Sequence, residues 1–123
     1  VIRDDLRFQL RVTPIAVMID LEGDVTIFAE EQLQEAYRQA CAAGAERLVM
    51  NFRRSDYINS AGLALLIGIA ADTRQRGQQL ALCGLTAHFQ KIFRMVGLGG
   101  YALICDEEAE ALAAFTRSAV DTG

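Results

Sequence analysis

A change of hydrophobic period after the first two dozen residues constrains the fold of this chain more than any other feature. Leu6, Phe8, Leu10 and Val12 alternate with Arg7, Gln9 and Arg11, and the alternation resumes beyond Thr13-Pro14 at Ile15, Val17, Ile19 and Leu21. A period of two marks a half-buried strand, and two such runs across a short break predict a hairpin. Glu22-Gly23-Asp24 ends the second run. The period then becomes helical: Leu33, Ala36, Tyr37 and Ala40 fall at i, i+3, i+4 and i+7, one face of an α-helix. Glu30, Glu31 and Glu35 load its first half, where the macrodipole favours negative charge. Gly44 suits the position just past its end.

The same alternation of short apolar runs and helical stripes continues to the end of the chain. Arg47 to Phe52 is short, apolar and bounded, as a buried strand is. Leu63, Leu66, Ile67 and Ala70 form a second stripe, widened by Leu65 and Ile69 and stopped by Gly77. Leu80 to Cys83 predicts another strand. Thr86 can cap a third helix that carries Phe89, Ile92, Phe93 and Val96 and stops at Gly97. Tyr101 to Cys105 predicts a last strand, and Asp106 a cap for a last helix with Ala109, Leu112 and Ala113 facing in. The order is β-β-α-β-α-β-α-β-α. Strands alternating with helices after a hairpin imply an α/β fold, a mixed, mostly parallel sheet with covering helices.

Composition narrows the function. The chain has 123 residues, one domain by length, and 52% of them are hydrophobic; that is enough to bury a core. Its net charge is −4 with no basic stripe, which argues against nucleic acid and anionic membrane as partners. Cys41, Cys83 and Cys105 are odd in number and lack CxxC spacing, so neither a disulfide framework nor a zinc site is implied. They read as reduced, mostly buried thiols of a cytoplasmic protein. The apolar run Ala61 to Ala71 falls short of the ~20 residues that span a bilayer. Val1 to Leu10 lacks the apolar stretch of a secretory signal. The chain begins without Met, as a piece of a longer protein would.

Enzymatic chemistry finds little to stand on. A nucleophilic serine or cysteine needs a base beside it, and the one histidine, His88, sits in the first turn of the third helix, off its apolar face. Ser60 lacks the GxSxG context of a nucleophile elbow. Neither GxGxxG nor GxxxxGK[ST] occurs. Gly97-Leu98-Gly99-Gly100 follows a helix and precedes a strand, the wrong polarity for cradling phosphate on a helix N-terminus. The single lysine, Lys91, lies in mid-helix, and Glu107, Glu108 and Glu110 suit a solvated helix start. No cofactor or metal is implied.

What remains is the junction Asp56-Tyr-Ile-Asn-Ser-Ala-Gly62, directly ahead of the second helix. Ser60 lies at or next to the N-cap, where its hydroxyl could accept from a free backbone N–H for about 1 kcal/mol. Ala61 and Gly62 leave little side-chain cover around it, so a partner could approach closely. A phosphoryl group there would add roughly −1.5 to −2 charge at a helix start, which the dipole and free N–H groups would tolerate. Such a group would spare the fold and alter the surface.

The segment LVMNFRRSDYINSAGLALLIGIA resembles the signature of the STAS domain, and most closely that of the stand-alone bacterial anti-sigma factor antagonists. In that family an apolar strand ends in an acid, and Asp-Ser-Ser/Thr-Gly-Leu opens a helix. Here the strand end falls on Asn51-Phe52 and the opening on Asn59-Ser60-Ala61-Gly62-Leu63. LALCGLTAHFQKIFRMVGL and IDLEGDVT resemble the family's later strand-loop-helix and its turn after the second strand. The resemblance implies a single STAS-like domain over residues 1–123, core about 6–118. It also implies a non-enzymatic module that binds an anti-sigma factor acting as an ATP- and Mg²⁺-dependent serine kinase. That kinase would phosphorylate Ser60 and end the complex, and a metal-dependent serine phosphatase would reverse the step. Asp24, Thr26, Asp56, Asn59, Ala61 and Gly62 are implied as partner-binding residues. The departures are Asn59 and Asn51 for acids, Ala61 for a second hydroxyl and Thr26 for the Asp of the turn. They motivate an alternative, a constitutive STAS interaction subunit of a signalling or lipid-transport complex. A small nucleotide-binding or hydrolytic enzyme has only the α/β class and Ser60 behind it.

Overall fold

In the computed structural model of the chain, residues 5–122 are described, with 118–122 described by backbone alone. The two period-two runs form β1 (Arg7–Val12) and β2 (Val17–Glu22), paired antiparallel. Then come α1 (Glu30–Ala42), β3 (Arg47–Arg54), α2 (Ser60–Gln75), β4 (Gln79–Cys83), α3 (Ala87–Met95), β5 (Leu103–Ile104) and α4 (Glu108–Thr122). The five strands lie in sequence order, and β2 through β5 are parallel. The mixed, mostly parallel sheet is the one expected from the element order. Right-handed crossovers between successive neighbours send every connecting helix to the same face. Leu33, Ala36, Tyr37 and Ala40 of α1, Leu66, Ile69 and Ala70 of α2 and Phe93 of α3 accordingly share one core with Ile19, Leu21, Met50, Phe52 and Leu82. The opposite face belongs to α4, whose Ala111 and Phe115 pack on Met18, Val49, Ala81 and Cys83.

This arrangement explains why β3 reads as a continuous apolar run. Leu48, Met50 and Phe52 point to the larger core while Val49 points to the smaller one, so both faces are buried. The Phe52 ring meets Phe93 edge to face, centroids 6.4 Å apart. α4 does not reach the far end of its face, and there the pattern turns polar at Asp20, Asn51 and Arg53. Arg11 forms two bonds to Asp20, 2.6 and 2.9 Å, and pairs with Glu108 at the start of α4. Arg7 reaches Glu22 at 2.9 Å.

Several local readings differ from expectation: β2 is buried on both faces, with Met18 in the smaller core, and Val12 at the end of β1 and Val96 just after α3 are exposed. The buried stripe of α2 is Gly62, Leu66, Ile69, Ala70 and Thr73, which leaves Ile67 at the surface; close packing at Gly62 sets the rotation of the helix. α4 buries Ala111 and Phe115, and Ala109 and Ala113 are exposed, because this helix alone covers its face and needs only a narrow stripe. β5 is limited to two residues by a 3₁₀ turn at Leu98–Gly100. The Asp106 carboxylate accepts from the Gln90 side chain at 2.8 Å and ties the loop to α3, while α4 begins two residues later. Thr86 caps α3 as expected, accepting from the Phe89 N–H.

The Asp20 carboxyl is held below the usual carboxylate range, first by its hydrogen bond to Arg11, with burial opposing. A folded pKa below the unfolded value gives stability that is complete above about pH 3.9 and is lost as pH falls through the folded value. The pair is partly exposed, so its contribution is at most about 1 kcal/mol. Chemical denaturation from neutral pH down to acid is expected to cost Arg11→Gln less stability than it costs the native chain. Equal losses would show that the pair contributes nothing.

Candidate functional site

The site is built from two loops that the backbone laces together at the C-terminal ends of β2 and β3. The Gly23 N–H donates to the Arg54 carbonyl at 3.2 Å, and the Ser55 hydroxyl donates to the Gly23 carbonyl at 2.6 Å. Val25 then bridges to Ile58 in parallel fashion. The Val25 N–H donates to the Tyr57 carbonyl at 2.9 Å, and the Asn59 N–H donates to the Val25 carbonyl at 3.1 Å. Buried polar backbone is thereby paired, and the residues on both loops share one surface.

At the end of this lacing the chain turns helical. Asn59 is the last extended residue, with φ −95 and ψ −179, and its side-chain oxygen accepts from the Gly62 N–H at 2.8 Å. The capping bond expected of Ser60 is therefore made by Asn59, because Ser60 already lies inside the first turn. The Ser60 side chain is exposed and its hydroxyl makes no hydrogen bond among the described residues. The first N–H groups of a helix have no intrahelical acceptor, so those of Ser60 and Ala61 are not used within α2. The first turn of α2 contains no acid. This junction suits negative charge placed on Ser60.

Gly62 lies beneath this surface. A Cβ there would come within 1.9 Å of the Val25 carbonyl oxygen. Its role is to let α2 press on the laced loop, not to open a path for an approaching partner. Thr26 is also buried, and its hydroxyl accepts from the Phe28 N–H at 3.2 Å, capping a 3₁₀ turn at Ile27–Ala29. Of the residues singled out in the sequence, Ser60 and Asp56 are exposed, while Asp24, Asn59 and Ala61 are half-buried. Asn51 lies across the sheet. It accepts from the Arg53 N–H at 3.0 Å and approaches Asp20 at 3.4 Å. An acid at position 51 would set two carboxylates side by side.

Sequence reasoning missed Phe28. This residue is 85% exposed and Ile27 beside it 52%. The available signal was an aromatic residue on neither the alternation of β2 nor the stripe of α1. Other chemistry is muted. Burial pushes the Cys83 thiol up to about 12 and raises that of Cys105, so both stay protonated and poorly nucleophilic near neutral pH. His88 is exposed, its ring edge against Phe89. Among the described residues no cluster of metal-ligating side chains occurs, and no helix is long and apolar enough to cross a membrane.

A mixed five-stranded sheet with three helices on one face, one on the other, and an exposed serine opening α2 defines a STAS-type domain. The family profile described as Mlab, STAS domain matches residues 8–105, and the chain belongs to the STAS domain family. Among its relatives is the candidate anti-sigma factor antagonist BtrV of Bordetella bronchiseptica, 33% identical over 77% of this chain and 82% of that protein. Among solved structures, the Bacillus cell fate determinant SpoIIAA in its phosphorylated form is 28% identical. It has a TM-score of 0.65 and covers 88% of this chain and 98% of its own. An anti-sigma factor antagonist from Mycobacterium paratuberculosis shares the fold with a TM-score of 0.77 at 16% identity, covering 92% and 96% of the two chains.

Three substitutions test the construction of the site. Gly→Ala inside a helix ordinarily gains up to about 1 kcal/mol, but Gly62→Ala must displace the Val25 backbone. It is expected to lower stability by about 2 kcal/mol or more, read as a fall in melting temperature; a rise would contradict the close approach. Asn59→Ala is expected to cost about 1 kcal/mol through loss of the cap, and Ser60→Ala less than about 0.5 kcal/mol.

Proposed function

We propose that this chain is an anti-sigma factor antagonist whose docking face is switched by phosphorylation of Ser60. The partner is an anti-sigma factor that is itself a serine kinase using ATP and Mg²⁺. A metal-dependent serine phosphatase restores the binding form. The chain contributes a surface rather than catalysis and needs no cofactor of its own, and it works in the cytoplasm with the transcription machinery. The observation that carries the reading is the placement of Ser60, an exposed side chain with an unengaged hydroxyl on the first helical residue of α2. The names of BtrV and of the phosphorylated SpoIIAA support it.

The physical basis is a separation of fold from surface. A phosphoryl group on Ser60 meets free N–H groups and the positive end of the α2 dipole, so the domain stays folded. The same group places roughly −1.5 to −2 charge in the middle of the docked face. Asp24 and Asp56 flank that face, and Asn59, Thr26, Ala61 and Gly62 shape it from within. Desolvating or repelling one dianion costs about 3–4 kcal/mol, enough for a 10²–10³-fold loss of affinity.

The neutral Asn59 and Thr26 favour a second reading, a STAS subunit that binds constitutively in a signalling or lipid-transport complex. Intact mass after incubation with the cognate anti-sigma kinase, ATP and Mg²⁺ separates the two. One phosphate on the native chain and none on Ser60→Ala is the expected result. An unmodified chain that still binds its partner would establish the constitutive reading.

A further inference from the structure

We propose that Phe28, with Ile27 beside it, is the apolar anchor of the Ser60 face, and that the anti-sigma factor docking there presents an apolar pocket rimmed by basic side chains. This rests on the proposed function and names the chemistry its partner must have. Phe28 is 85% exposed, the highest value among the exposed large hydrophobic residues described. A soluble domain gains nothing in its own stability from such a ring. Ile27 and Phe28 together form a contiguous exposed apolar patch, the kind that marks interaction surfaces, and aromatic anchors buried on docking dominate interface energetics.

Its placement ties it to the serine. Phe28 lies in the 3₁₀ turn that packs against α2, three residues beyond the Val25 bridge that holds the Asn59–Ser60 junction. The turn is held firmly. The Phe28 N–H is bound by Thr26, the Ala29 N–H donates to the Thr26 carbonyl at 3.0 Å, and Ala29 is buried. With the turn's backbone already fixed, docking orders only the two side-chain torsions of Phe28, which limits the entropic cost.

Charge defines the rim of the pocket. Residues 23–31 and 55–63 carry Asp24, Glu30, Glu31 and Asp56; the nearest basic side chain on the laced segments, Arg54, lies 3.8 Å from Glu22 and is offset by it. A partner that covers the ring must meet these acids, and basic side chains do so without a desolvation penalty left unmatched. A second copy of this chain would bring acids against acids, which argues against self-association through this face.

The test measures affinity of the cognate anti-sigma factor for the native chain, Phe28→Ala and Ser60→Asp, with melting temperature and oligomeric state recorded for each. Phe28→Ala is expected to keep its melting temperature, because the ring is exposed, and to weaken binding about 10- to 100-fold. Native affinity in Phe28→Ala together with lost affinity in Ser60→Asp would overturn the anchor and leave the switch intact. Native affinity in both variants would overturn both. Weakened binding in Phe28→Ala with native affinity in Ser60→Asp would keep the anchor and remove the switch. A native dimer that Phe28→Ala turns into a monomer would assign the ring to self-association and overturn the proposal.

Discussion

The Val25 carbonyl accepts the Asn59 N–H at 3.1 Å and occupies the place a side chain on Gly62 would need. That single approach fixes where α2 begins, how far it stands from the loop after β2, and which of its faces turns inward. Ser60 is exposed because Gly62 is not: the residues lie two apart, about 200° around a helix of 3.6 residues per turn. Once Gly62 points down at Val25, Leu66, Ile69, Ala70 and Thr73 follow it into the core.

Three of the four departures from the family signature look different in three dimensions. Asn59 and Thr26 stand where acids were expected, yet each still performs the hydrogen-bonding task of a cap, one for α2 and one for the 3₁₀ turn. Neutral caps satisfy the same N–H groups that acids do. Asn51 avoids a like-charge contact with Asp20, which is already committed to Arg11. The consequence is a pair of capped turns beside Ser60, with Asp24, Asp56, Glu30 and Glu31 as the acids on the same two segments.

Period was the legible part of the fold. The apolar run of β3 and the stripe of α1 follow from two-sided and one-sided burial, whereas β2 alternates in sequence yet buries Met18 as well as Val17 and Ile19, and α3 buries Phe93 but not Val96. Ile67, Ala109 and Ala113 were misplaced because a helix rich in apolar residues offers several stripes, and the choice among them is made by contacts distant in sequence. The position of Ser60 at the helix start was legible from the polar pair Asn59-Ser60 ahead of an apolar segment. Which of the two residues caps was not, since both types serve equally and only the turn into helical backbone decides. Phe28 escaped notice because exposure depends on how the loop is laced to its neighbour.

The central claim is that charge at Ser60 changes the surface and not the fold. The direct measurement is the amide NMR spectrum of the domain carrying phosphoserine at position 60, compared with the unmodified domain, alongside affinity for the cognate anti-sigma factor. Shifts confined to the two laced loops and the first turns of α2, with an unchanged melting temperature and lost binding, are the expected result. Shifts spread through the sheet and both cores, or binding that survives the phosphate, would contradict it.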